Sequence, residues 1–240
     1  PMGFQDRGYS RAGRQPIAPE WTGVMIVIAI NVGLWLLNVI GTGDLIREIV
    51  PLRFSLNDLG AVRSDLPRHL LTNFWQLLTY GFLHDGPSLE QPGAPFSPWH
   101  LIFNMLTLWF FGRDVEGLMG RAEFLRFYCL AVVMAGIAWV VSEQFGGAGG
   151  RLVGASGGVM AVLAVYIWHF PHQTVYFWGI LPVPVWALGV LYFVVDLRGA
   201  FTGSSSVAHG AHLAGAIFGM LYAWRGWSLA ELCTIVAGLL

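Results

Sequence analysis

The stretch "RLVGASGGVMAVLAVY" (Arg151–Tyr166) sets a single serine among glycines and alanine at the mouth of a long apolar run. A segment that only had to cross a bilayer would be filled with leucine and valine throughout. Small residues here serve one of two ends. They let another helix come close, or they leave room for a molecule to reach the hydroxyl. Which end applies to Ser156 depends on what the rest of the chain brings beside it.

The 240 residues are 55% hydrophobic and 11% charged, with a mean hydropathy of +0.61, whereas soluble domains carry about 25% charged residues. A polytopic membrane protein is expected, in contact with the lipid bilayer. All thirteen basic residues are arginine and the formal net charge is -1, so no basic patch points to nucleic acid. Cys129 and Cys233 lie in apolar surroundings and read as packing residues.

Spanning takes about 20 mostly apolar residues. Six runs qualify: Trp21–Ile40, Trp99–Leu118, Glu123–Val141, Gly154–Phe170, Tyr176–Leu197 and Val207–Trp224. The chain thus divides into a polar N-terminal segment (1–20), a six-span membrane domain (21–225) with a long first loop (41–98), and an apolar tail (226–240). Trp21–Ile40 reads as a retained span, because no small-residue cleavage site follows it. Arg7, Arg11 and Arg14 before the first span, with Arg113, Arg121 and Arg126 around the second connection, predict an N-terminus inside. Asp196 and Arg198, at the end of the fifth run, read as facing headgroups, and Arg113, Asp114 and Glu116 as a solvated inner turn.

Polar residues within spans are costly and call for a reason. His100 and Asn104 begin the second span, Ser156 the fourth, and His209 and His212 the sixth. Even-numbered spans run in one direction, so these beginnings share one side, predicted to be the outer one. His100 and Asn104, four apart, face the same way. His212, Gly215 and Gly219 share another helical face, and the two glycines form a small-xxx-small pattern that admits a partner. If that partner carries Gly154, Gly157 and Gly158, His212 is brought towards Ser156.

The chemistry follows from the residue types. A serine hydroxyl becomes nucleophilic when a nearby histidine takes its proton. The resulting oxyanion needs fixed donors, and the Asn104 amide, His100 and the backbone N–H groups at Ala155 and Ser156 are suitable. With no acid in register with His212, a Ser-His dyad is expected rather than a triad.

With "HLIFN" (His100–Asn104), "GASG" (Gly154–Gly157) and "AHGAHLAGAIFG" (Ala208–Gly219) in order on successive even spans, the sequence resembles the rhomboid family of intramembrane serine proteases. The likeness runs from about Phe74 to Tyr222. It implies an all-α, six-transmembrane-helix bundle with a long first loop, a Ser156 nucleophile and a His212 base. It implies an oxyanion site of His100, Asn104 and the Ser156 backbone. Membrane-anchored protein substrates would be cut near the outer surface, without metal or other cofactor, with the first loop and fifth span controlling their approach. The family often has an aromatic residue four positions after the serine; here it is Met160. A Trp-Arg pair common in the first loop is Trp75-Gln76 here. The expected setting is the plasma (inner) membrane of a prokaryote, multi-pass, with a cytoplasmic N-terminus.

Other readings stand beside this one. Gly154–Gly158 also fits the G-x-S-x-G pattern of esterases, but that motif needs a preceding strand and no alternating run is present. His209, His212 and His100 form a candidate metal set, against which stands the lack of an acidic or thiol ligand in register. His209 reads instead as orienting His212 or lining a wet cavity. A catalytically inactive relative acting as a binding or trafficking factor is the alternative within the family. A proton-coupled transporter is the alternative outside it, opposed by the absence of an inverted repeat.

Overall fold

The computed structural model describes residues 21–42, 55–85, 98–145, 149–177, 180–202 and 208–229. The polar segment 1–20, parts of the first loop (43–54 and 86–97) and the tail from 230 lie outside the described residues. The chain is mostly helical. The first helix, α1 (Gly23–Thr42), is followed by short helices α2 (Leu56–Gly60), α3 (Leu70–Asn73) and α4 (Gln76–Thr79). Next come α5 (Trp99–Thr107), a π-helical segment (Leu108–Gly112), and α6 (Arg113–Met119). The long helix α7 (Arg121–Gln144) leads to α8 (Ser156–His169), α9 (Val185–Thr202) and α10 (His209–Arg225).

Two of these helices, α1 and α7, are long and apolar enough to cross a membrane; α8 is apolar but has 14 residues. The fold is also not purely α. Val62–Arg63 (β1) pairs antiparallel with Arg151–Leu152 (β2), and Thr174–Phe177 (β3) with Leu181–Pro184 (β4). The second pairing corrects the expected span Tyr176–Leu197, whose opening part contributes to two paired strands, the second ending at Pro184. Pro182 and Pro184 explain it, since proline supplies no N–H and obstructs the preceding helical turn. The helix therefore starts at Val185 and runs on to Thr202.

The core is where α7, α8 and α10 meet. Phe124, Phe127, Tyr128, Val132, Val165 and Tyr222 are buried there. Glycine permits the closest approach. A Cβ on Gly215 would stand 2.1 Å from the Gly157 carbonyl oxygen, and one on Gly219 2.2 Å from that of Ala161. Backbone thus rests on backbone, and α10 lies against α8 as the small-residue spacing suggests. By contrast, α9 turns a row of apolar side chains outward, with Val190, Leu191, Phe193 and Val194 about half exposed. An apolar cavity of about 380 Å³ lies among α8, α9 and α10, lined by Met160, Leu163, Ile167, Gly189, Leu213 and Ile217 among others.

Buried charge closes several joints. Glu116 is not part of a solvated turn: its carboxylate accepts from Gly23 N–H at 2.7 Å and Val24 N–H at 2.9 Å. It thereby caps α1 with the negative charge that a helix N-terminus favours. Asn38 likewise accepts from Leu56 N–H at 2.8 Å, tying α1 to the first loop.

Candidate active site

Ser156 is the first residue of α8. The turn leading into it is fixed by its backbone. Gly154 has φ +132, which side chains other than glycine's avoid, and its N–H donates to the Tyr80 carbonyl at 3.0 Å. A Cβ at Gly154 would fall 2.7 Å from His100 Cε1 and 3.0 Å from its Nε2. Glycine thus lets the His100 ring lie against the backbone two residues before the serine. Gly157 fits under Ala135, and Gly158 under Tyr128 and Val132, all on α7. The start of α8 is wedged against α7 on one side and α10 on the other.

His212 Nε2 stands 2.7 Å from Ser156 Oγ. At the opposite edge of the same ring, Nδ1 is 3.0 Å from Asp196 Oδ1, and His209 Nδ1 approaches that oxygen at 2.7 Å. Asp196 is buried at 4% exposure, which corrects its reading as a headgroup-facing residue. The absence of an acid in register with His212 is corrected with it. Both followed from ending the fifth run at Leu197: with the helix continuing to Thr202, Asp196 lies well inside it and faces α10. His209 is packed where a Cβ on Gly199 would intrude. It therefore sits beside Asp196 and reaches His212 through it.

On the first-loop side, His100 Nδ1 donates to Asp85 Oδ2 at 2.8 Å. That bond leads the effects holding the Asp85 carboxyl below its ordinary value, against the opposing effect of partial burial. Asn104 meets His84: its amide nitrogen is 3.1 Å from His84 Nε2, and the His84 and His100 rings stand edge to face with centroids 5.1 Å apart. Burial, reinforced by the neighbouring His100, pushes His84 down to about 3. His84 Nδ1 finds no partner among the described residues. Neither His84 nor Asp85 was singled out from the sequence. The available signal was the pair of polar side chains closing "FWQLLTYGFLHD", which a loop assignment makes unremarkable.

Met160 lines the apolar cavity between α8, α9 and α10. For a metal, the donor atoms of Asp196, His209 and His212 lie within 4.8 Å of one another. An ion there would take both Nδ1 atoms as lone-pair donors and so displace their hydrogen bonds to Asp196. Ser156, His212, His100 and the glycines 154, 157, 215 and 219 thus form one contiguous region, joined by Asn104 through His84.

Residues 71–229 match the rhomboid domain family. Similar proteins include "Presenilin-associated rhomboid-like protein A, mitochondrial" of Danio rerio, 34% identical over 151 residues, or 60% of this chain and 38% of that protein. "Presenilin-associated rhomboid-like protein, mitochondrial" of Homo sapiens is 30% identical over 148 residues, with the same shares covered. "Rhomboid protein 1, mitochondrial" of Saccharomyces cerevisiae is 30% identical over 139 residues, 55% of this chain and 40% of that protein. The chain thus matches about two fifths of the length of these relatives. Their names are mitochondrial, which overturns the expected prokaryotic plasma membrane and, with it, the cytoplasmic N-terminus. From the short helices of the first loop to just beyond α10, the match covers most of the sequence, and the chain belongs to the rhomboid family.

Proposed function

We propose that this chain is an intramembrane serine endopeptidase that cuts membrane-anchored protein substrates through an acyl-enzyme on Ser156. The observation that carries the reading is the 2.7 Å contact between Ser156 Oγ and His212 Nε2 at the head of a glycine-flanked helix. A hydroxyl and an imidazole at that separation have the geometry of a nucleophile and its base. The six-span arrangement is part of the same proposal, with α5, α8 and α10 beginning on one side of the bilayer. The membrane to which the relatives' names point is mitochondrial.

In the first half-reaction His212 Nε2 takes the Ser156 proton as Oγ bonds to the scissile carbonyl carbon. The carbonyl oxygen becomes an oxyanion, which the first N–H groups of α8, around Ala155 and Ser156, receive at the positive end of the helix dipole. His100 is the further candidate in the oxyanion site: its ring is held at Nδ1 by Asp85 and lies against Gly154, two residues before the serine. Asn104 has a second amide N–H besides the one directed at His84. The C–N bond then breaks and His212 returns its proton to the departing amine. In the second half-reaction water attacks the acyl carbon, His212 takes its proton, and Ser156 is released as the hydroxyl.

Labelling with a fluorophosphonate probe tests this reading. Wild type should be labelled, and Ser156→Ala and His212→Ala should not. Equal labelling of the Ser156→Ala variant removes the serine from the role of nucleophile.

A further inference from the structure

The polar contacts of the His212 ring are Ser156 from α8 and Asp196 from α9, and His209 of its own helix meets the same Asp196 oxygen. Of these, Asp196 has a geometry that the serine-histidine reading leaves unused. One buried carboxylate oxygen faces two imidazoles, His209 Nδ1 at 2.7 Å and His212 Nδ1 at 3.0 Å. A carboxylate can only accept, so both Nδ1 atoms are donors and carry hydrogen. This fixes the tautomer of His212. With its proton at Nδ1, the neutral ring must show a lone pair at Nε2, the atom that faces Ser156 Oγ.

We propose that Asp196 is a positioning residue for His212, holding the ring by its Nδ1–H so that Nε2 meets Ser156 as a base, and that His209 steadies the carboxylate. The inference rests on the reading of Ser156 and His212 as nucleophile and base, and deepens it. Asp196 stays ionised throughout. The proton that leaves Ser156 ends on His212 Nε2, and the carboxylate offsets the charge of the imidazolium formed. His209 occupies the space that glycine leaves at position 199, so its ring can reach the shared oxygen.

α9 has an exposed apolar face, and Asp196 lies at the margin of the apolar cavity that this helix lines with α8 and α10. The Asp196 pairings are polar links between this helix and α10. The orientation of the base is thereby joined to the docking of the helix beside it.

The experiment uses the full chain in detergent micelles and a fluorophosphonate probe, separating the inactivation step (kinact) from probe binding (KI). Asp196→Asn should lower kinact at least tenfold and up to about 10⁴-fold, the loss that follows when the acid orienting a histidine base becomes an amide, with KI unchanged. Asp196→Glu, which keeps a carboxylate, should recover part of the loss. A folded Asp196→Asn variant with wild-type kinact overturns the inference while leaving the Ser156 reading intact. Labelling of Ser156→Ala at the wild-type level overturns that reading instead. Should Asp196→Asn fail to fold, His209→Leu, which leaves no donor for the carboxylate, carries the test: a several-fold drop in kinact at constant KI supports the shared carboxylate, and a wild-type value overturns it.

Discussion

His84 is 1% exposed, and its imidazole lies against Asn104 and the His100 ring. Its folded state holds the ring neutral, with the pKa lowered from 6.5 to about 3. The unfolded chain therefore binds the proton more readily, and stability falls as pH drops from 6.5 towards 3. Asp85, whose carboxyl is also lowered, contributes its own loss only further down, below the ordinary carboxylate value of 3.8. The melting temperature should consequently decline between pH 6.5 and 4, and His84→Gln should flatten that decline. An equal slope in the variant would remove His84 as its source. The residue scale is also where the sequence was least legible. A histidine four residues before an asparagine shows its helical face by spacing alone. His84 reaches Asn104 across twenty positions, and Asp196 reaches His212 across a connection whose geometry no periodicity describes.

At the scale of elements, the contact between α8 and α10 decides whether Ser156 and His212 meet. Two carbonyl oxygens on α8 occupy the places where side chains on Gly215 and Gly219 would begin. Gly219→Ala lies two turns beyond His212, yet a methyl there must push the helices apart. Overpacking of this kind costs about 1–3 kcal/mol or more. The variant should melt lower, and its fluorophosphonate labelling should fall as the hydroxyl and imidazole separate. Unchanged labelling would show that the site tolerates this shift. This packing was legible because glycines at i and i+4 leave one face bare, and a bare face needs a close neighbour. The hairpin Thr174–Pro184 was harder to read. Its composition is as apolar as a span, and only Pro182 and Pro184 argue otherwise. Ending the run at Leu197, where the helix continues to Thr202, placed Asp196 at the end of an element instead of within one.

For the molecule as a whole, the six-run hydropathy pattern and the ordered polar motifs foretold a rhomboid, and family membership agrees. Buried joints such as Glu116 on α1 escaped notice because they unite residues about ninety positions apart. The arrangement also separates two chemistries available to the Asp196, His209 and His212 cluster. Treatment with EDTA should leave fluorophosphonate labelling at its untreated level. Loss on chelation, with return on adding zinc, would favour a metal there over hydrogen bonds.

The first loop is stitched to the residues leading into Ser156. β1 pairs with β2, Ser64 N–H donates to the Gly150 carbonyl, Arg151 pairs with Asp58, and Gly154 N–H meets Tyr80. The loop therefore works as a splint for the serine's approach rather than as a detachable cover. Grafting a foreign first loop onto this scaffold would require the segment 149–154 to travel with it, since the backbone hydrogen bonds of that segment are made to the loop.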